Sequence, residues 1–171
     1  TGQFQLFVET DFRDQIQEVN ESDNLRFSDP FQLNLRARPD LQVSVESEYP
    51  TSITAGTILD VRFTVRNAGT ADTPSGGSRW SDRVWLSTSS SSTSGAILLG
   101  ELQNGSALAF PGSESGGPTE YSSEASFLIP PAISGNWFVL VETDVRNRVD
   151  EFPNDNNNRS AAAVAIDANP V

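Results

Sequence analysis

Apolar and polar residues alternate with a period of two over short stretches of this chain. Leu41-Gln-Val-Ser-Val45 alternates strictly, and Ile58-Leu-Asp-Val-Arg-Phe-Thr-Val65 does so after its first residue. Val84-Trp-Leu86, Ile97-Leu-Leu99, Ala125-Ser-Phe-Leu-Ile129, Trp137-Phe-Val-Leu-Val141 and Ala162-Ala-Val-Ala-Ile166 follow. Gly, Pro, Asn, Asp and Ser separate these runs. Period two puts successive side chains on opposite faces of a strand, and no window carries a helical repeat. Seven such runs with turn residues between them predict an all-β protein, a seven-stranded antiparallel β-sandwich. One alternating set is expected to form its core: Val43, Val45, Val61, Phe63, Val65, Leu86, Phe127, Val139, Val141 and Val164, or the opposite set where a run is apolar on both sides.

The chain also repeats itself. Residues 2–24, GQFQLFVETDFRDQIQEVNESDN, align without gaps on 135–157, GNWFVLVETDVRNRVDEFPNDNN, at an offset of 133. Eight of the 23 positions are identical: the Gly, Val-Glu-Thr-Asp, an Arg, a Glu and the last Asn. At the same offset Phe31 and Leu33 fall on Val164 and Ile166. Residues 1–38 therefore read as the C-terminal third of one repeat, and 39–171 as a complete one. Alone, the strands near 3–11 and 29–37 would expose an apolar face and unpaired edges. Preceding sequence or another subunit is expected to cover them.

Composition narrows the chemistry. The 171 residues hold 23 acids and 11 basic residues, a net charge of −12. The basic residues are all Arg, and Lys, His, Cys and Met are absent. No His or Cys means no zinc site of the usual kind, no thiol nucleophile and no Ser-His-Asp triad. No Lys means no Schiff base and no phosphate-binding P-loop. A sequence pI near 4.2 argues against nucleic acid as a partner. No apolar run reaches the length of a membrane-spanning helix.

The complete repeat carries an ordered set of landmarks. They are Pro39-Asp-Leu-Gln-Val, Phe63-Thr-Val-Arg-Asn-Ala-Gly69, Trp80-Ser-Asp-Arg-Val-Trp-Leu-Ser87, Leu98-Leu-Gly100, Gly135–Asp144, Val149-Asp-Glu151 and Asn154-Asp-Asn-Asn157. In this order they resemble the CARDB domain, the cell-adhesion-related immunoglobulin-like domain of bacterial surface and secreted proteins. The resemblance covers most of 39–167, with 1–35 as a partial second copy. It implies a seven-stranded sandwich, an extracellular bacterial location and tandem arrangement. Many members carry acids after the Leu-Ser motif, whereas Thr88–Gly95 is uncharged here.

The stretch after the sixth predicted strand is rich in hard oxygen ligands. Asp144, Glu151 and Asn157 are the leading candidates for Ca²⁺, with Asp82, Asn147, Asp155 and Asn156 behind them. Asp11, Glu18 and Asn24 occupy the matching register in the partial copy. The spacing is not that of an EF-hand. The opposing reading is that Asp and Asn simply form and solvate a turn, with Arg146 and Arg148 neutralising it. Of the tryptophans, Trp137 reads as core because Phe4 replaces it in the other copy. Trp80 is expected to fold over the sandwich end. Asp82 has three possible roles: a turn residue, an Arg partner or a ligand reaching the acidic loop. Asp150 and Glu151 are adjacent, so a strand would send them to opposite faces, unlike the opposed carboxylates of a glycosidase. The Ser/Thr-rich loop and three Asn-x-Ser sequons, at Asn20, Asn104 and Asn158, mark surface.

These features lead to a non-catalytic structural or adhesive repeat of an extracellular fibre, adhesin stalk or surface protein, stabilised by Ca²⁺. Its expected partners are further copies of the same repeat, with glycans or cell-surface ligands as others. The alternative is a Ca²⁺-dependent carbohydrate- or substrate-binding module of a larger secreted enzyme.

Overall fold

A computed structural model describes residues 2–46, 50, 52–75, 80–154 and 156–170. Chain contacts divide it into two compact units, Thr1–Arg36 and Ala37–Val171. The boundary falls two residues before the one expected from the repeat. Arg38 is already tied into the second unit, its carbonyl accepting from the N–H groups of Thr70 and Ala71.

Among its described residues the second unit holds eight strands: β5 (Leu41–Val45), β6 (Ile53–Thr54), β7 (Ile58–Asn67), β8 (Ser81–Ser87), β9 (Ile97–Gln103), β10 (Glu120–Leu128), β11 (Gly135–Glu142) and β12 (Arg159–Asp167). They form a three-stranded sheet in the order β10-β7-β5 and a five-stranded sheet in the order β6-β12-β11-β8-β9. The expected seven strands become eight because Ile53–Thr54 adds a short ladder. It runs parallel to β12, with Ile53 opposite Ile166. Two residues carry no detectable alternation, so the strand left no trace in the pattern. All other pairs are antiparallel.

The inward faces of the two sheets share one core. Leu41, Val43, Leu59, Val61, Phe63 and Val65 from one sheet meet Val84, Leu86, Val139, Val141, Val164 and Ile166 from the other. β7 shows the cause most plainly, its burial alternating residue by residue along its length. Val45 and Phe127, placed in the core by pattern, are half-buried at its margin. Phe127 packs beside Gly100, where a Cβ would come within 2.6 Å of its ring. Trp137 also sits at the margin, its indole N–H donating to the Ser134 carbonyl. Trp80, just before β8, is fully buried.

The first unit is a long, broken hairpin. β1 (Gly2–Phe4) pairs with β4 (Phe31–Leu33), and β2 (Phe7–Glu9) pairs with β3 (Leu25–Phe27). Gly2 faces Leu33 but Phe7 faces Phe27, so Gln5-Leu6 on one strand oppose Ser28-Asp-Pro30 on the other. This is a β-bulge, stitched by the Ser28 N–H to the Leu6 carbonyl and by the Leu6 N–H to the Ser28 hydroxyl. Phe4, Leu6, Phe7, Val8, Phe12, Ile16, Val19, Leu25, Phe27, Phe31, Leu33 and Leu35 are all exposed.

This hairpin follows β11–β12 closely. Gly2–Leu33 and Phe4–Phe31 match Gly135–Ile166 and Trp137–Val164 at the offset of 133. Glu9 pairs with Leu25, however, whereas Glu142 pairs with Arg159. The first loop is one residue shorter, and the bulge restores the register. The Thr10 N–H donates to the Asn24 carbonyl as the Thr143 N–H donates to that of Asn158. Asn24 thus corresponds to Asn158, not to Asn157 as the gapless alignment has it.

Candidate functional site

The Asp/Asn-rich loop between β11 and β12 starts with a sharp turn. Asp144 (φ 46°) and Asn147 (φ 52°) lie in the left-handed region that Asp and Asn tolerate better than most residues. The Asn147 N–H closes the turn on the Asp144 carbonyl. Both carboxylate oxygens of Asp144 accept backbone N–H groups, Oδ1 from Arg148 and Oδ2 from Val149, each at 2.8 Å. A carboxylate facing two N–H donors makes strong, charge-assisted bonds. This organises the turn and buries Val149. The first unit repeats the arrangement: Asp11 (φ 41°) accepts from Gln15 and Ile16, and Asp14 (φ 53°) closes its turn.

Beyond the turn the loop clasps the start of β5. Glu151 is buried; its Oε2 accepts the Leu41 N–H at 2.5 Å and its Oε1 the Asn158 side-chain amide at 2.8 Å. The Asn157 amide donates to Asp40 Oδ1. Arg38 pairs with Asp150 and lies over the Phe152 ring, 5.8 Å from its centre. From the other side, Asn67 Oδ1 accepts the Asp40 N–H, and the Ala68 N–H donates to the Asp40 carbonyl. Gly69 makes that approach possible, since a Cβ there would lie 2.3 Å from the Arg38 carbonyl oxygen. Residues 38–41 are therefore held both by Asn67–Ala71 and by the loop from the C-terminal hairpin. Asp40 and Asn67 were not singled out as site residues. Their signal was present in the Pro39-Asp and Arg-Asn-Ala-Gly motifs, which read only as landmarks.

A second polar cluster lies beneath. Trp80 Nε1 donates to the Tyr121 hydroxyl, which donates to Asp82 Oδ2; the Thr143 hydroxyl donates to Asp82 Oδ1. Asp82 lies within β8 rather than in a turn, pairs with no Arg among the described residues, and accepts from two hydroxyls. Burial pushes its carboxyl above the usual range, against the pull of the Thr143 and Tyr121 hydrogen bonds. Burial, then the charge of Asp82, pushes the Tyr121 phenol far above its ordinary value.

The raised carboxyl has a definite sign. The folded state holds the Asp82 proton more tightly than the unfolded chain does. The resulting stabilisation is complete below the unfolded Asp value and is lost as pH rises through the folded one. In Asp82→Asn both hydroxyls can turn to match the amide. Wild type minus Asp82→Asn stability, from urea unfolding, is expected to be larger near pH 3.5 than at pH 7. Asp72 and Glu101 have the opposite sign. They are held low chiefly by the Phe110 N–H and by Arg83, respectively, and they cancel in the difference. A difference constant from pH 3 to 7 would overturn this assignment.

The calcium candidates are thus divided. Asp144, Glu151 and Asp82 all spend both oxygens on N–H or O–H donors. Asn147 is an exposed turn residue, and Asn156 is exposed beside a shallow recess lined by Glu142, Asn158 and Arg159. Asp155 lies outside the described residues. In the first unit Asp11 caps its own turn, Glu18 is exposed, and Asn24 pairs with Thr10 and Glu21. Among the described residues no three acidic side chains gather as a metal-holding group. Among the described residues, two buried amide oxygens beside the clasp, Asn157 Oδ1 and Asn158 Oδ1, accept no hydrogen bond.

The CARDB family matches residues 38–162, the span that holds both the clasp and the buried cluster. The chain belongs to the CARDB family. CARDB domains are cell-adhesion-related and non-catalytic. A crystal structure of the CARDB domain of the PF1109 protein from Pyrococcus furiosus, in complex with di-metal ions, is 23% identical. It covers 79% of this chain and 95% of that one, with a TM-score of 0.51. A solution structure of the CARDB domain of PF1109 from Pyrococcus furiosus is 21% identical, covers 77% and 97%, and has a TM-score of 0.52. At these identities the likeness establishes the fold. No curated protein matches this chain. Among the described residues no helix is long and apolar enough to cross a membrane.

Proposed function

We propose that this CARDB domain is a structural or adhesive repeat of an extracellular protein, arranged in tandem with copies of itself. The observation that carries this reading is the hairpin 2–33. It reproduces the register of β11–β12 at Gly2–Phe4 and its Asp-capped turn, and its apolar side chains are exposed where their counterparts Val141, Val149, Val164 and Ile166 are buried. Its partner is then a further copy of the remainder of the domain. The clasp suits such a role, because it ties the entry of the domain to its last hairpin. The acidic surface favours solubility through self-repulsion.

A cation is the second reading, favoured by the two buried, unpartnered amide oxygens beside Glu151 and Asp40. The PF1109 CARDB domain, crystallised in complex with di-metal ions, points the same way. Asn157, Asn158 and backbone carbonyls are the groups here that fit Ca²⁺, which takes six to eight oxygens. The carboxylates fit only by releasing their present donors. When bound, the ion would supply positive charge to an acidic loop.

One pair of measurements separates these readings from each other and from a carbohydrate-binding module. The structural reading expects no saturable binding on a glycan array and the same melting temperature in millimolar Ca²⁺ and in EDTA. A resident Ca²⁺ adds about 2.7 kcal/mol at a hundredfold excess over Kd, a shift of several degrees. Specific glycan binding that EDTA abolishes would replace the structural reading with the module.

A further inference from the structure

Resting on the tandem reading, we infer that the exposed face of hairpin 2–33 docks the part of a further copy equivalent to residues 39–134. In that docked state Glu18 is the clasp, receiving the backbone N–H at that copy's counterpart of Leu41.

The complete unit supplies the template. Val149 and Val141 are wholly buried, and Val164 and Ile166 nearly so. Their counterparts Ile16, Val8, Phe31 and Leu33 are 63%, 58%, 47% and 54% exposed. In the complete unit β8 pairs along β11 from Phe138 to Glu142, and the Val45 N–H of β5 donates to the Ser160 hydroxyl of β12. The matching edge, Gln5–Glu9, has no such neighbour among the described residues. It is the place for that copy's equivalent of β8.

Glu18 stands where Glu151 stands in the repeat. Glu151 is buried and bonded to Leu41 N–H. The Glu18 carboxylate is exposed and, among the described residues, accepts no hydrogen bond; only its backbone N–H is engaged, by Glu21 Oε1. The turn leading to it is already set by Asp11, which accepts the same two N–H groups as Asp144. A turn formed before docking lowers the ordering cost of the contact. The first unit therefore presents a preformed hairpin and turn whose acceptor has no donor.

The test joins a copy of residues 39–133 directly ahead of Thr1, the counterpart of residue 134, which restores the 133-residue period, and keeps the whole 171-residue chain behind it. Amide hydrogen exchange is compared with that of the parent chain. Amides of Gly2–Glu9 and Leu25–Leu33 are expected to exchange at least about a hundredfold more slowly in the joined chain. Glu18→Ala should then return much of that exchange in the joined chain, most strongly at the added counterpart of Leu41, and change nothing in the parent. Glu18→Gln should fall between, and Asp23→Ala, at an exposed acid of the same loop, guards against a general effect of charge. An unprotected hairpin in the joined chain overturns the tandem reading and the docking together. A protected hairpin indifferent to Glu18→Ala overturns the Glu18 role and leaves the tandem reading standing.

Discussion

Trp80→Ala is expected to lower the unfolding free energy of the CARDB unit by about 3–5 kcal/mol, the usual range for truncating a buried Trp. Trp80 is the largest fully buried side chain, and its ring centre lies 6.2 Å from that of Tyr121. Truncation removes packing between the sheets and takes the indole N–H away from the Tyr121 hydroxyl. Total stabilities of 5–15 kcal/mol make such a loss a large share of the whole. Trp80→Phe separates the two contributions. It keeps most of the apolar volume and loses the donor, so about 1–2 kcal/mol should go. Urea unfolding followed by far-UV circular dichroism measures both without depending on Trp fluorescence. A loss below about 1 kcal/mol for Trp80→Ala would mean that the cavity collapses and that Trp80 is not a keystone of this core.

Glu151→Ala is expected to cost about 2–4 kcal/mol, and its effect should be local as well as global. The side chain is buried and accepts two hydrogen bonds, one from the Leu41 backbone and one from the Asn158 amide. Bonds to a charged group contribute about 1.5–3 kcal/mol, and the donors left behind pay a desolvation cost. The Leu41 amide should exchange faster than the rest of β5, because the clasp is released before the β5–β7 ladder opens. Glu151→Gln keeps the shape but turns an NH₂ group towards one of two donors, so it should lie between wild type and Ala. The neighbouring Asp150→Ala removes an exposed partner of Arg38 and should change stability by no more than about 1 kcal/mol. Equal effects at 150 and 151 would overturn the clasp.

Both positions show how far the sequence could be followed. Glu151 stood out because it recurs as Glu18, and recurrence within one chain marks a constraint. The nature of the constraint was not legible. A carboxylate facing an N–H donor and one facing a cation are the same residue in the same loop. The choice lies with Leu41, 110 residues away in the chain. Asp82 differs only in degree. Its neighbours Trp80 and Trp85 gave it three candidate roles, and none included Tyr121, 39 residues further on. The gapless alignment also misplaced Asn24. A one-residue loop deletion and a one-residue bulge cancel in the count and show only in the hydrogen-bond ladder.

The sequence by itself determined the all-β class, most of the strands and most of the core. Those follow from period-two alternation, a local property that burial of one sheet face imposes on consecutive residues. It also determined the family, because that is written in ordered local motifs. Only the tertiary structure decided the eighth strand, whose two residues carry no period, and the partners of Asp144, Glu151 and Asp82. It alone placed Asp40, Asn67 and Gly69 around the entry of the domain. Polar groups are satisfied by whatever the fold brings within about 3 Å, and that depends on strand order and register rather than on neighbours in the chain.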